Sequence, residues 1–154
     1  MPFSVRVLGA GDDALMRGML TLFGKVFDEA ETYGGAQPGD AYLQRLLGSD
    51  TFIAMAAQKG EDIVGGIAAY VLQKFEQERS EVYIYDLAVG DAHRRQGIAT
   101  ALIAELGVVA SMRGSYVMFV QADRGDDPAF ALYSRLGARE DVLHFDVAVP
   151  AKTR

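Results

Sequence analysis

The chain has 154 residues, of which half are hydrophobic and none is cysteine, and its formal net charge is -6. Without cysteine it cannot form disulfide bonds, a cysteine-based zinc site or a thiolate nucleophile. The negative charge argues against nonspecific binding to nucleic acid and favours cationic small molecules as ligands. The length and hydrophobic content are typical of one globular domain, which we expect to span residues 1–154.

The N-terminal residues do not show the charged and then apolar pattern of a signal peptide. No apolar stretch approaches the ~18 residues that are needed to cross a bilayer. We therefore expect a cytoplasmic protein that does not engage membranes.

The first half of the chain predicts helices followed by an antiparallel meander. Asp12 and Asp13 provide a capping signal for the first helix, and Asp40 can cap the second. Between these helices, glycines, a proline and three acids predict a loop that borders a cationic ligand. The predicted elements are a strand at 4–8, a helix to about 27, a loop at 28–39, a short helix at 41–47, and strands at 51–58, 63–72 and 81–89.

The second half alternates helices with strands. After Gln96 the apolar residues recur at helical spacing as far as Gly114. Asp127 is the expected cap of the last helix, because Pro128 suits its first turn. The predicted elements are a helix from about 97 to 113, a strand at 116–121, a helix at 128–136 and a final strand at 141–149. This order indicates a mixed α/β fold with one layer of sheet.

The most informative stretch is a strand followed by a short turn with Arg94 and Arg95 and then by a helix that opens at Gly97. Unpaired N–H groups at a helix start attract phosphate oxygens, and guanidinium groups add charge-assisted hydrogen bonds. The turn therefore predicts a ligand with a pyrophosphate, although a simple solvated turn is the alternative. Nucleoside triphosphate and dinucleotide enzymes are disfavoured because their glycine-rich motifs are absent.

Arg94-Arg95-Gln96-Gly97-Ile98-Ala99 resembles the acyl-coenzyme-A motif [RQ]-x-x-G-x-[GA] of the GNAT N-acetyltransferase superfamily. Ala129, Tyr133 and Gly137 resemble a second family element, A-x-x-x-Y-x-x-x-G, although Asp126 stands where many members have asparagine. The resemblance implies the GNAT α/β fold, in which a mostly antiparallel sheet with one splayed strand pair is flanked by helices. It also implies acetyl-coenzyme A as co-substrate, with no metal.

A narrower resemblance concerns the type I aminoglycoside 3-N-acetyltransferases. The segments that carry it are 74–77, 81–89, 120–123 and 125–128. It implies an aminoglycoside antibiotic as acceptor, with its 3-amino group as the target and antibiotic resistance as the role. The superfamily is often dimeric, so we also expect a homodimer in which the final strand pairs between subunits.

The superfamily resemblance also assigns the residues that contact coenzyme A. The strand before the motif splays from its neighbour in this superfamily, and its free backbone groups pair with the pantetheine arm. The residues expected along the arm are Leu87, Ala88 and Val89. Those expected around the pyrophosphate are Arg94, Arg95, Gln96, Gly97, Ile98, Ala99 and Thr100.

An amine attacks a thioester only when it is deprotonated, so a carboxylate near the acceptor is needed to take its proton. The resemblance makes Asp86 the first choice for this base and Glu81 the second. A strand-end carboxylate with a purely structural role is the alternative for Asp86. Alternation along a strand puts Glu81, Tyr83 and Tyr85 on one face and Asp86 with Ile84 on the other. Both acids can face the acceptor only if a bulge intervenes.

Tyr133 stands where the family places a tyrosine that protonates the thiolate of coenzyme A. Its ordinary pKa of ~10 lies above the ~8.5 of a thiol, so it stays protonated near neutral pH. A packed aromatic side chain in the stripe of the last helix is the alternative role for this residue.

Acidic and aromatic side chains in three segments are expected to border the acceptor. Several carboxylates around one multivalent cation act together, although each alone contributes little. The residues predicted to contact the acceptor are Glu29, Glu31, Tyr33, Glu76, Tyr83, Asp123, Asp126 and Asp127. Two other functions stay open: acetylation of a polyamine or a protein amine, and binding of acyl-coenzyme A without catalysis.

Overall fold

A computed structural model describes residues 2–152 and divides the chain into two compact units, Met1–Gln121 and Ala122–Arg154. The first unit contains β1 (Ser4–Val7), α1 (Asp13–Val26), α2 (Ala30–Gly34), α3 (Asp40–Leu47), β2 (Phe52–Lys59), β3 (Asp62–Gln73), β4 (Ser80–Val89), α4 (Ile98–Met112) and β5 (Ser115–Val120). The second unit contains α5 (Asp127–Leu136).

The five strands form one sheet in the order β1-β2-β3-β4-β5. The first three pairs are antiparallel, whereas β4 and β5 are parallel. Parallel neighbours need a crossover connection, and α4 provides it. The meander, the helix after the third meander strand and the mixed α/β class all agree with the predicted order of elements.

Helices cover both faces of the sheet and bury two apolar cores. On one face, the buried stripe of α4 packs against the strands, and its residues Leu102 and Leu106 have no exposed surface. On the other face, α1 and α3 pack through buried side chains that include Met19, Phe23 and Leu43. The helical spacing of the apolar residues in α4 therefore places a single stripe on the sheet.

Strand β4 contains a bulge at Tyr85. Ala69 pairs with Ile84 and its neighbour Ala68 pairs with Asp86, so Tyr85 has no partner on β3. An extra residue in one strand shifts the alternation of all residues after it. The two cores show this shift. Ile84, before the bulge, and Leu87, three residues later, both pack on the α4 side, although regular alternation would put them on opposite faces. Ala88 then packs on the α1 side.

The bulge places both candidate bases on the same face of the sheet. Glu81 is adjacent to Val82, which is buried on the α4 side, so Glu81 lies on the α1 side. Asp86 is adjacent to Leu87 and therefore also lies on the α1 side. The sequence left this question open, because the two acids can share a face only if a bulge intervenes, and the bulge at Tyr85 meets that condition.

Several predicted boundaries of the helices were wrong. The segment predicted as a loop contains the short helix α2. Asp40 is the first residue of α3 and not its cap, which is Gly39. Asp126, not Asp127, caps α5, because its carboxylate accepts a hydrogen bond of 3.3 Å from the backbone N–H of Ala129. Pro128 does stand in the first turn of α5, as predicted.

The strand predicted at 141–149 was also wrong, because the structure has no strand there. Alternating apolar residues form a strand only when another strand supplies partners for their N–H and C=O groups. Within residues 2–152 this segment has no pairing partner, and Leu143, Phe145 and Val147 are at least 78% exposed. Among the described residues, no helix is long and apolar enough to span a membrane.

Candidate active site

Asp86 lies directly after the bulge, on the face of the sheet that α1 and α2 cover. It is half-buried, and Oδ2 of its carboxylate accepts a hydrogen bond of 2.8 Å from the hydroxyl of Tyr33. Burial raises the pKa of Asp86 above its ordinary value; the hydrogen bond from Tyr33 opposes this rise, and the negative charge of Glu29 adds to it. Asp86 is thus a stronger proton acceptor than an exposed aspartate.

Tyr33 is held in place by aromatic contacts between α1 and α2. Its ring lies 6.0 Å from the ring of Phe23, edge to face, and 5.8 Å from the ring of Phe27. The two helices approach closely at Gly24, where an added Cβ would lie 3.2 Å from Cβ of Tyr33 and from Cα of Ala30. A glycine at this position therefore allows α2 to bring the tyrosine hydroxyl to Asp86.

The residues after α2 are anchored to α1 by one arginine. The guanidinium of Arg17 donates to Oε1 of Gln37 and to the carbonyl of Pro38, each at 3.0 Å, and forms an ion pair of 2.6 Å with Asp40. Gln37 in turn donates to the carbonyl of Tyr33 at 3.2 Å. These bonds hold residues 37–40 against α1, and the bond from Gln37 ties them to the backbone of Tyr33.

Glu81 is engaged in a different set of contacts near the start of β4. It accepts a hydrogen bond of 2.6 Å from the hydroxyl of Tyr116, and Nζ of Lys74 lies 3.6 Å away. The hydrogen bond from Tyr116 and the charge of Lys74 lower the pKa of Glu81. Arg79 lies over the ring of Tyr116 at 3.8 Å and completes the cluster. Glu81 is therefore a weaker base than Asp86.

Strands β4 and β5 separate beside Asp86. Their parallel pairing ends with Ile84 opposite Val120. In the described structure the edge of β4 that faces β5 has no pairing partner over residues 85–89. Leu87, Ala88 and Val89 thus have backbone groups free to bind a ligand, at the position where the superfamily resemblance implied a splay.

The turn between β4 and α4 has the backbone of an anion-binding site. Gly97 adopts a left-handed conformation at φ +79°, as does Arg95 at φ +62°. The first backbone bond of the helix runs from the N–H of Ala101 to the carbonyl of Gly97, and no side chain caps this end. The three N–H groups of Ile98, Ala99 and Thr100 are consequently free to bind an anion.

The side chains of this turn are exposed and partly paired. Arg94 forms an ion pair of 2.9 Å with Asp91, and Gln96 accepts a hydrogen bond of 2.5 Å from Lys59 of β2. Through this bond to Gln96, Lys59 adds a further cation to the turn, and no local sequence pattern indicated it. The pairing of β2 with β3 through a two-residue turn at 60–61 brings it here.

A row of aromatic side chains, the aromatic row, crosses the sheet on the face that carries Asp86. Its members in order are Phe52, Tyr70, Tyr85, Tyr83 and Phe119. Successive ring centroids lie 5.4, 5.5, 5.6 and 4.7 Å apart. Of these five residues, only Tyr83 was predicted from the sequence to contact the acceptor. The pairing of four strands brings the others together, which no local sequence pattern indicates.

The acidic residues predicted around the acceptor are distributed over three places. Glu29 and Glu31 are exposed at the start of α2, and the charge of Glu29 influences both Asp86 and Tyr33. Glu76 lies 3.7 Å from Lys74, which bridges it to Glu81. The third group, Asp123, Asp126 and Asp127, belongs to the second unit. Its position at the acceptor stays a prediction.

The acetyltransferase (GNAT) family matches residues 21–138, which include β4, the arginine turn and α4. The chain belongs to this family. The family and the fold expected from the sequence are therefore confirmed.

Two solved structures resemble this GNAT chain over almost its full length. The crystal structure of an aminoglycoside acetyltransferase from an uncultured soil metagenomic sample is 57% identical, covers 97% of this chain and 100% of that chain, and superposes with a TM-score of 0.95. A second aminoglycoside acetyltransferase from such a sample, in complex with sisomicin, is 32% identical, covers 96% and 97% of the two chains, and has a TM-score of 0.88.

The curated relative N-acetyltransferase 8B of Rattus norvegicus is 28% identical over 89 residues. This match covers 58% of the acetyltransferase chain, which thus spans about 40% of the length of that relative. The similarity to the two soil proteins is more extensive and confirms the resemblance to aminoglycoside acetyltransferases.

Tyr133 of the acetyltransferase lies in α5 and is half-buried within its unit. Burial raises the pKa of its hydroxyl, and the negative charge of Asp126 raises it further. The hydroxyl therefore stays protonated at neutral pH and is able to donate a proton. Its assignment as the acid of the reaction stays a prediction.

Proposed function

We propose that the protein transfers the acetyl group of acetyl-coenzyme A to an amine of an aminoglycoside antibiotic. The observation that carries this proposal is its similarity, over nearly the whole chain, to two aminoglycoside acetyltransferases, one of them bound to sisomicin. The 3-amino group is the proposed target, from the resemblance to the type I 3-N-acetyltransferases. Resistance to these antibiotics is the proposed biological role.

The residues present fit coenzyme A. A pyrophosphate needs N–H donors and cations, and the turn offers three free N–H groups of α4 together with Arg94, Arg95 and Lys59. The pantetheine arm carries amide groups, and the unpaired edge of β4 at 87–89 offers partners for them. When bound, the co-substrate supplies the acetyl thioester that the acceptor amine attacks.

Asp86 is the proposed base. Its raised pKa brings the carboxylate nearer to the basicity needed to take a proton from an alkylammonium or from the attacking amine, and general-base catalysis improves as this match improves. The hydrogen bond from Tyr33 leaves Oδ1 of Asp86 available to the acceptor and fixes the direction of the carboxylate. Glu81 is less suited, since Tyr116 and Lys74 already stabilise its ionised form.

The proposed reaction transfers one acetyl group without a covalent protein intermediate. The amine nitrogen forms a bond to the thioester carbonyl carbon as the proton of the amine passes to Asp86. The carbon–sulfur bond then breaks, and Tyr133 donates its proton to the departing thiolate. A raised hydroxyl pKa supports this last role, since the group remains protonated at the pH of the reaction.

The acceptor is proposed to bind through the carboxylates of Glu29, Glu31 and Glu76, with Asp123, Asp126 and Asp127 as further contacts. Several negative groups act together on a multivalent cation, which favours an aminoglycoside over a monoamine. Tyr33 stays a proposed acceptor contact through its ring and through the lone pairs of its hydroxyl, whose single proton is donated to Asp86.

A release assay for the coenzyme A thiol tests the proposal. Gentamicin and sisomicin are expected to support saturable turnover, whereas spermidine and lysine-containing peptides are expected to be poorer acceptors. Turnover restricted to peptides or spermidine would reject the aminoglycoside proposal. Acetyl-coenzyme A binding with no turnover on any amine would support the noncatalytic alternative.

We also propose a homodimer. The exposed apolar side chains of the C-terminal segment support it, because Val142, Leu143, Phe145, Val147 and Val149 are each at least 69% exposed. Sedimentation of the purified protein tests this, and a monomer at micromolar concentration would reject it. A cytoplasmic location stays a prediction.

A further inference from the structure

Two tyrosines of the aromatic row are exposed although they lie in the middle of the sheet. Tyr70 of β3 is 39% exposed and Tyr85 of β4 is 59% exposed. Their rings are 5.5 Å apart at 82°, and the ring of Tyr83 lies 5.6 Å from Tyr85 at 75°. Edge-to-face contacts of this kind fix the orientation of the rings, and the exposed fraction of each side chain leaves part of its ring accessible to a ligand.

The bulge explains why Tyr85 belongs to this surface. Regular alternation would place either Tyr85 or Asp86, but not both, on the face that carries Tyr70. Because Tyr85 is the extra residue, its ring contacts Tyr70 and Tyr83 on that face, and Asp86 follows on the same face. The irregularity thus joins an aromatic surface to the carboxylate of the proposed base.

The surroundings of the exposed rings are negatively charged. Burial raises the pKa of both Tyr70 and Tyr83, and the neighbouring Tyr85 and the charge of Asp86 raise it further. The charge of Glu29 in turn raises the pKa of Asp86. The hydroxyls of Tyr70 and Tyr83 therefore stay protonated, and that of Tyr83 donates a hydrogen bond of 3.0 Å to Oε1 of Gln121. A matching ligand has a flat C–H surface for the rings, hydroxyl groups for the tyrosines, and positive charge for the acids.

We propose that Tyr70 and Tyr85 form a platform on which a sugar or aminocyclitol ring of the acceptor lies, and that this platform makes the enzyme prefer ring-bearing polyamines to linear ones. A linear polyamine satisfies the carboxylates equally well but has no ring to cover the tyrosines. This inference rests on the proposed function and deepens it, because it names the residues that select the acceptor.

The experiment compares Tyr70→Ala and Tyr85→Ala with Tyr70→Phe, Tyr85→Phe and Val108→Ala. Val108 is a matched control, since its side chain is 54% exposed on α4, away from the aromatic row. Calorimetry measures the binding of sisomicin to each protein saturated with coenzyme A. Thiol release measures kcat and KM for sisomicin and for spermidine.

We expect each alanine variant to bind sisomicin about tenfold more weakly than the wild type does, as expected when one ring contact with a cationic ligand is lost. The phenylalanine variants are expected to retain most of the affinity, because the ring face remains. The KM for spermidine and the affinity for coenzyme A are expected to stay at wild-type values, and Val108→Ala is expected to match the wild type throughout.

Wild-type sisomicin affinity in both alanine variants would overturn the platform, as would an equal loss for sisomicin and spermidine. Absence of sisomicin binding to the wild type would overturn it as well. If the wild type binds sisomicin without acetylating it, the proposed function fails. The platform is then still decided by the binding of the variants, so the two failures are distinguishable.

Discussion

The hydroxyl of Tyr33 donates a hydrogen bond of 2.8 Å to Oδ2 of Asp86 and thereby joins α2 to the bulged strand β4. Burial and this bond act on the Asp86 pKa in opposite directions, and burial is the larger influence. The tyrosine thus orients the carboxylate and limits the rise of its pKa. Tyr33 is a positioning residue in this account, because it acts through Asp86.

Replacing Tyr33 by phenylalanine is expected to change the pH profile of the reaction. The variant keeps the ring that packs on Phe23 and Phe27 but loses a donor that stabilises ionised Asp86. Losing that donor raises the pKa of Asp86, and the base works only when it is deprotonated. The acidic limb of kcat/KM should therefore move to higher pH.

The control for this change is Tyr42→Phe, which removes an exposed hydroxyl from α3. It is expected to leave the profile where the wild type has it. A Tyr33→Phe profile that coincides with that of the wild type would contradict the positioning role.

Replacing Asp86 by asparagine is expected to lower kcat by about 10²- to 10⁴-fold, the usual contribution of a general base. Affinity for coenzyme A should be retained, because the arginine turn is unchanged. Glu81→Gln is the matched control, since it removes the other carboxylate on the same face, and we expect a much smaller loss of kcat. Steady-state kinetics of the two variants shows which carboxylate is the base, and a larger loss of kcat for Glu81→Gln than for Asp86→Asn would identify Glu81.

The same Asp86→Asn variant should also show a pH-dependent change in stability. The pKa of Asp86 is raised in the folded state above its ordinary value of 3.8. The protonated carboxyl therefore makes its full contribution to the free energy of unfolding below pH 3.8, and this contribution is lost as the pH rises through the folded pKa. Asparagine does not ionise, so the variant should gain stability relative to the wild type as the pH rises from 3 to 7. Urea unfolding at a series of pH values measures this difference; a constant difference would show that the carboxyl is not perturbed.

Two glycines of the α4 region should respond oppositely to alanine. Gly97 has φ +79°, a conformation that costs an alanine roughly 1–2 kcal/mol. Gly107 lies inside the helix, and its added Cβ would meet only Cε of Met118, at 3.6 Å, so alanine should stabilise by about 0.5–1 kcal/mol. Gly97→Ala should also raise the KM for acetyl-coenzyme A. Thermal unfolding and kinetics test the pair, and equal effects of the two changes would contradict the assigned turn.

Two neighbouring aspartates distinguish the observed cap of α5 from the predicted one. Asp126→Ala removes the side-chain acceptor for the N–H of Ala129 and should destabilise by about 1 kcal/mol. Asp127→Ala removes only a first-turn charge and should cost a few tenths of a kcal/mol. Denaturant titration of both variants measures this, and a larger cost at Asp127 would restore the cap predicted from the sequence.

Much of the fold was predictable because its signals are local. The helical spacing in α4, the turn residues between β2 and β3, and Gly97 at a helix start each specify their own conformation. The order of these elements was enough to indicate one layer of sheet, and the family resemblance implied its splayed pair. The family motif then located the expected coenzyme A site.

The rest depends on pairing between distant residues. The bulge at Tyr85 arises from the register of β4 on β3, and without it the sequence placed the two acids on opposite faces. The bond from Tyr33 to Asp86 joins residues 53 positions apart. The apolar segment at 141–149 has the alternation of a strand but lacks a pairing partner among the described residues, so its pattern alone was misleading.

The most direct test of the account is release of the coenzyme A thiol by the wild type and by Asp86→Asn, with sisomicin as acceptor. We expect the wild-type rate to saturate with both acetyl-coenzyme A and sisomicin, and we expect the kcat of the variant to be at least about 10²-fold lower. No thiol release with sisomicin or any other aminoglycoside, or equal rates for the two proteins, would contradict it.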